Sequence, residues 1–515
     1  MRTLYCFACI AVSAISFAQS DFQVLHQNNV SAFINNSGTI FHNFQANPAD
    51  YEVPRGSGHK AIYGARFWFG GQDINGIPHT TLGGINAAAT DVFPGPYSST
   101  NDYSASENWK VWTMCQSEID NFIKWHNATL PGADTSLQFT TPTDEFIARL
   151  SSWPAHGDLQ SGQALNIAPF FDRLQDGFYD PAQGDYPIIK GCCATYMVQN
   201  DAASLHSLSS SAPVGLEMHY LIYQYESGDF INDATFIDVT AINRGYLNYP
   251  EFAHGFMADA DLGYSMDDFM GSDSTNSMLY FYNGNNNDEG NYGQNPPALG
   301  IVSLNNMVSS CTPLTSGSYS SSQSWNILNG KQSSGAEWIH PDNYASKFVF
   351  SGDPDNAAEW SEINTSGTPG DRLGIITHAN GSFGPGDTIF QSYAILYARS
   401  GDHLAAVQTL KQQAAAVKLF YTNDTLACGP ATAGITEKQK IKFTVRPNPS
   451  KGFITLEPDA KEIQVSVLQT DGKTVFNRQL KTGEKTLDLS ALPTGLYFLK
   501  IDSEEGSDTQ KIILN

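Results

Sequence analysis

Gln464-Val465-Ser466-Val467-Leu468, Asp471-Gly472 and Lys473-Thr474-Val475-Phe476 follow one another near the end of the chain and read as a β-hairpin. Val465 and Val467 fall on one face, because strand side chains alternate with a period of two. Asp-Gly between two such runs is a two-residue turn signal. Downstream, Leu487, Leu489 and Leu492 lead into Gly495-Leu496-Tyr497-Phe498-Leu499-Lys500-Ile501, and Lys511-Ile512-Ile513-Leu514-Asn515 closes the chain. Upstream, Arg446-Pro447-Asn448-Pro449 breaks any regular element, and Gly452 supplies a turn. Short strands at this spacing predict a small Ig-like β-sandwich over 446–515.

The rest of the chain reads as mainly β as well. At 515 residues it exceeds what one hydrophobic core supports, so more than one domain is expected. Only 16% of residues are charged while 12% are aromatic, and aromatic residues favour strands. His219–Tyr225, Phe236–Ile242, Lys347–Phe350 and Ile389–Tyr397 are aromatic and β-branched strand candidates. Ser117–Trp125 carries Ile119, Phe122 and Ile123 at helical spacing, and a second short helix is expected between Thr143 and Pro154. Asp402 is placed to cap a helix bearing Leu404, Val407, Leu410, Ala414 and Val417 on one face, packed on a sheet. The expectation is a large, sandwich-like β-rich body over 19–420, with a few short helices and room for two subdomains. A linker over 421–445 separates it from the tail.

Charge placement narrows the partners. The tail from Ile441 onward holds 10 basic and 10 acidic residues. Setting Arg2 aside, the stretch before it holds 17 basic against 42 acidic residues. Such a surface repels nucleic acid and anionic lipid but suits divalent cations. No nucleic-acid partner is expected.

The first 18 residues carry Arg2, an apolar run from Leu4 to Phe17, and small residues Ser16 and Ala18 just before Gln19. This is the pattern of a cleavable signal peptide. No later apolar run is long enough for a membrane helix, so no transmembrane segment is expected. Beyond Cys6 and Cys9 of the leader, five cysteines remain: Cys115, Cys192, Cys193, Cys311 and Cys428. Their odd number leaves at least one thiol over, and an oxidising compartment allows one or two disulfides.

The tail motifs resemble a known family. Pro447-Asn448-Pro449 with Gly452, Asp471-Gly472-Lys473, the run from Leu487 through Leu492 to Ile501, and the final Lys511–Leu514 look like the type A sorting domain of type IX secretion cargo from Bacteroidetes-type bacteria. Asn515 departs from the basic residue that often ends the family. The resemblance implies Sec export and translocation across the outer membrane by the type IX machinery. The protein would then be released or attached to surface lipopolysaccharide, giving a secreted or cell-surface location. In the body, Pro54–Gly58, Phe67–Gly71, Phe93–Pro96 and Trp153–Asp158 resemble landmarks of a large, uncharacterised group of such cargo. Asp424-Thr425-Leu426 resembles the short O-glycosylation signal of these bacteria.

Two acidic stretches carry cation chemistry. Asp259, Asp261 and Gly263 are followed by Asp267, Asp268, Gly271, Asp273 and Asn276. A hard cation such as Ca²⁺ takes about six to eight oxygens, and Asp and Asn alternating with Gly is how a short loop delivers them. Clustered carboxylates repel one another unless neutralised. Asp172, Asp176, Gly177 and Asp180 follow positions 1, 5, 6 and 9 of an EF-hand loop, with Asp185 beyond. Leu174 and Gln183 stand where oxygen ligands belong, so that loop is degenerate. The competing reading is an acidic surface loop making Asx-turns for the first stretch and a plain turn before Pro181 for the second. Asn285–Glu289 is a third polar loop without a ligand pattern.

Catalytic motifs are absent: there is no HExxH, GxSxG, P-loop or GxGxxG. His156 and Asp158 beside Trp153 could form an acid–base pair, although a turn explains them equally well. Trp68, Trp109, Trp112 and Trp360 could stack on sugars or simply fill a β core. The first reading is a non-catalytic secreted or cell-surface protein, stabilised by Ca²⁺, with an adhesive, binding or structural role. The alternative is a secreted hydrolase of polysaccharide or protein, whose paired carboxylates sequence spacing cannot reveal.

Overall fold

A computed structural model describes residues 22–43, 49–84, 90–103, 110–130, 138–365, 367–423, 428, 443–458, 463–469, 474–480, 485–503 and 507–515. The leader, Trp109, Asp424-Thr425-Leu426, most of the expected linker and the Asp471-Gly472 turn lie outside these residues. The chain divides into two compact units, 1–429 and 430–515.

The larger unit is built on two large antiparallel sheets, beside a four-stranded sheet over 22–62 and, among the described residues, two two-stranded ones. The nine-stranded sheet runs in the order Asp268–Asp273, Met278–Asn283, Ala298–Ser303, Thr388–Ala398, Thr235–Asn243, Leu216–Gln224, Cys193–Asn200 and Phe93–Pro94, with Trp112–Cys115 also paired to Cys193–Asn200. The five-stranded sheet runs Ser310–Leu314, Arg372–Phe383, Tyr249–Ala260, Gly64–Gln72 and Pro78–Leu82. Their inner faces share one aromatic-rich core. Phe67 stacks on Phe256 at 4.5 Å and meets Tyr220 of the other sheet at 5.2 Å, and Phe256 meets Tyr393 at 5.2 Å. Trp68 and Trp112 are buried core residues.

Helices cover the outer faces. His403–Asn423 lays Val407, Leu410, Ala414 and Val417 against Tyr280, Tyr282 and Leu396 of the nine-stranded sheet. Asp402 caps it, accepting the Leu404 and Ala405 N–H groups at 3.1 and 2.8 Å. The helix runs to Asn423, two residues past the start of the expected linker. Gln116–Thr129 and Asp144–Ser151 cover the far end of the same sheet, and the Thr143 hydroxyl accepts the Phe146 N–H. Among the described residues no helix is long and apolar enough to cross a membrane.

One expected strand is missing. Lys347–Phe350 forms only a bridge between Cys311 and Phe348, because Phe350 takes a left-handed φ of 55° that ends extended pairing. Adjacent cysteines fasten two distant parts of the body. Cys193 is bonded to Cys115, its direct cross-strand partner, and Cys192 to Cys428 beyond the last helix. Cys311 is the thiol left over, and it is buried.

The smaller unit has a three-stranded sheet, Phe443–Arg446, Phe453–Pro458 and Thr486–Asp488. A four-stranded sheet follows the order Thr474–Leu480, Ile463–Leu468, Gly495–Asp502 and Ser507–Leu514. Val465, Val467, Leu487, Leu499 and Ile512 fill its core, as the alternation in the sequence requires. It is an Ig-like β-sandwich.

Candidate metal centre

The acidic motif begins at the end of the central strand of the five-stranded sheet. Asp259 pairs with Gly64 on one side and with Leu373 on the other. The chain then leaves the sheet through Asp261 and Leu262 and turns at Gly263. Gly263 has φ +86°, and a Cβ there would lie 2.2 Å from an Asp288 oxygen, so no other residue fits. The chain next enters the nine-stranded sheet at Asp268. The motif therefore crosses from one sheet to the other.

Asp259, Asp261 and Asp371 bring carboxylate oxygens within 4.8 Å of one another. Among the described residues, this is the group of three or more acidic, histidine or cysteine side chains close enough to hold an ion. Burial pushes the Asp259 carboxyl up to about 7, and Asp261 and Asp371 add to the rise while Arg66 opposes it. Burial, with Asp371 beside it, pushes Asp261 up to about 7 as well. Both acids are thus costly to ionise without a neighbouring cation.

Asp268 adds an independent observation. It is fully buried, and one oxygen accepts the Leu262 N–H at 3.1 Å while the other has no hydrogen-bond partner. Its backbone carbonyl accepts the Gly370 N–H at 3.0 Å. The segment that carries Asp261 thus meets the Asp268 carboxylate, and the segment that leads to Asp371 meets its backbone. Burial, then Asp267, Asp261 and Asp288, push its carboxyl well above the usual range.

The other expected ligands are placed differently. Asp267 is buried nearby and accepts the Glu289 N–H at 3.3 Å. Asp288, in the loop that offered no ligand pattern, is spent on the N–H groups of Tyr264, Gly290, Asn291 and Tyr292. Asp273 sits at the far end of the Asp268–Asp273 strand and closes a turn, accepting the Asn276 N–H at 3.0 Å and the Asn276 Nδ2 at 2.7 Å. Five strand residues span roughly 17 Å, so Asp273 does not join Asp259.

The second acidic loop holds its own backbone. Asp172 accepts the N–H groups of Gln175, Asp176 and Gly177, Asp176 that of Phe178, and Asp180 that of Ala182. Asp185 accepts the Arg173 and Asp180 N–H groups. Those carboxylates do not converge. His156 is likewise part of a turn, its Nδ1 donating to the Leu165 carbonyl and its Nε2 accepting the Tyr179 N–H.

One polar array escaped the sequence reading. The Tyr196 hydroxyl donates to His219 Nδ1 at 2.6 Å, and His219 Nε2 donates to Glu217 at 3.1 Å. Arg244 pairs with the same Glu217 oxygen at 2.7 Å. Glu217 and His219 sit two apart on one strand, which puts both on the outer sheet face. That spacing was the available signal.

Comparison with known proteins bears on the tail. Residues 444–515 match the family described as the secretion system C-terminal sorting domain. No curated protein matches the chain. A solved polysaccharide lyase structure aligns at 8% identity over 58% of this chain and 34% of its own, with a TM-score of 0.19; so low a score carries no argument about the body. The tail is a type IX sorting domain, and the chain is cargo of that pathway, bound for the cell surface or the medium.

Proposed function

We propose that this type IX cargo is a secreted or cell-surface binding protein whose body is stapled by a calcium ion and has no catalytic step of its own. The observation that carries the cation is the unpartnered, fully buried oxygen of Asp268 beside the Asp259, Asp261 and Asp371 cluster. Asp259 and Asp371 belong to the five-stranded sheet and its approach, and Asp268 to the nine-stranded sheet. An ion shared among them ties the two layers together at one end. Several carboxylates converging on one point suit Ca²⁺, which takes about six to eight oxygens, over Mg²⁺, which keeps several waters.

The binding role draws support from where the carboxylates are. A hydrolase of polysaccharide or protein would want two of them about 5–10 Å apart in one cavity. Asp238 lines one cavity and is paired to Lys190 at 2.7 Å; Asp387 lines another and accepts the Gly384 N–H at 2.7 Å. The acidic groups gather instead at the sheet crossing. The tail's partner is the type IX machinery, with surface lipopolysaccharide as the anchor where the body is retained. Chelation should lower the melting temperature of the purified body, and Ca²⁺ should restore it better than Mg²⁺. Coincident curves would overturn the reading.

A further inference from the structure

Two cavities of opposite character meet at Phe390. The first, of about 440 Å³, lies on the outer face of the nine-stranded sheet and is walled by Ile167, Pro169, Ile188, Leu221 and Ile242. This is the size of cavity that takes small organic ligands. The second, of about 510 Å³, is walled by Asn306, Asn380, Ser382 and Thr388. Phe390 lines both and is 42% exposed. The register Thr240–Phe390 and Ile242–Thr388 makes walls of the two cavities direct cross-strand neighbours.

Most polar groups at the apolar cavity are engaged within the protein, with Asn166 and Thr240 left at its wall. Tyr196, His219, Glu217 and Arg244 form the chain described above, and Lys190 is paired to Asp238. An occupant gains little there by hydrogen bonding, which favours a hydrocarbon body. The second cavity presents the Asn306 and Asn380 amides, each with one polar atom engaged in the protein, and the Ser382 and Thr388 hydroxyls, groups that both donate and accept. Its one carboxylate is Asp387, no cation lines it, and the body around it is strongly acidic. That field repels an anionic head, Asp387 is held by the Gly384 N–H, and the amides and hydroxyls match an uncharged, hydroxylated head.

We infer that this paired cavity binds an uncharged amphiphile, an alkyl chain joined to a polyhydroxy head, with Phe390 at the junction. The inference deepens the binding role proposed above and is independent of the cation. The test is calorimetry on the full chain in saturating Ca²⁺, using octyl glucoside below its micellar concentration, octanol and methyl glucoside. Octyl glucoside should bind at least tenfold more tightly than either fragment. Ile188→Glu, at a position 49% exposed, should weaken it at least fivefold with the melting temperature unchanged, and Thr388→Val should weaken octyl glucoside but not octanol. Equal affinity for octanol and octyl glucoside, or an Ile188→Glu variant that binds normally, overturns the inference. A calcium titration of the same protein after chelation separates that failure from failure of the cation reading.

Discussion

Asp268 accepts the Leu262 backbone N–H at 3.1 Å through one carboxylate oxygen, and its other oxygen is buried with no hydrogen-bond partner. A buried acid in that state costs stability until a cation or proton meets it. Asp268→Asn keeps an acceptor for Leu262 and removes the charge. In chelator the variant should therefore be more stable than the parent, by about 1–3 kcal/mol, while its response to Ca²⁺ should shrink. Thermal melts with and without Ca²⁺ check both signs; a variant destabilised in chelator with an intact calcium response would refute the assignment.

A second prediction concerns acid. His254 and His378 are cross-strand partners with rings stacked 4.9 Å apart in the core. Nδ1 of His378 donates to the Met307 carbonyl, and Nδ1 of His254 pairs with the Asn380 side-chain oxygen. Burial pulls His254 down to about 4, and burial together with His254 pulls His378 down to about 3. The unfolded chain takes up these protons near pH 6.5, before the folded one does. Stability from this pair is complete above about pH 6.5, falls as pH drops, and levels off only below the folded values. A His254→Phe/His378→Phe variant should lose less stability than the parent between pH 6.5 and 4.5, read from urea midpoints. Parallel losses would contradict this.

Three helices, the tail strands and the Asp402 cap were legible because each rests on local periodicity or a capping residue; the helix Ser321–Leu328 was not read. The carboxylate cluster was legible only in part. Asp259 and Asp261 stand together in sequence, but Asp371 arrives through the pairing of Ala260 with Arg372, and no local pattern announces a contact across that separation. Asp273 was misread because Asp268–Asp273 is a strand and not a loop: extension carries its two ends apart, where a loop would gather them. The Asp172 loop has the spacing of a calcium loop, and its carboxylates accept backbone N–H groups without gathering as the Asp259 cluster does.

The disulfide pair supplies a third prediction. Cys192 and Cys428 are separated by 236 residues, and closing so long a loop restricts the unfolded chain by about 5 kcal/mol in the chain-entropy account. Cys428→Ala should lower the urea midpoint strongly and leave Cys115–Cys193 in place. Peptide mapping and unfolding curves test it; an unchanged midpoint would show that the bridge contributes nothing.

Export gives a fourth. The sorting tail is a folded sandwich whose core includes Ile454, Val465, Leu499 and Ile512. Deleting Phe453–Asn515 removes most of that core and should strand the body in the periplasm. Fractionation and immunoblotting read the outcome; truncated protein in the medium at the parent's level would contradict it.

The central claim is the cation at the sheet crossing, and calorimetric titration of Ca²⁺ into the chelator-stripped full chain tests it most directly. Asp371→Asn alters the exposed member of the cluster, so folding is preserved while a ligand is lost. The account predicts saturable calcium binding by the parent, weakened at least tenfold in Asp371→Asn and unchanged in Asp180→Asn. No heat at millimolar Ca²⁺, or equal binding by the parent and Asp371→Asn, would contradict it.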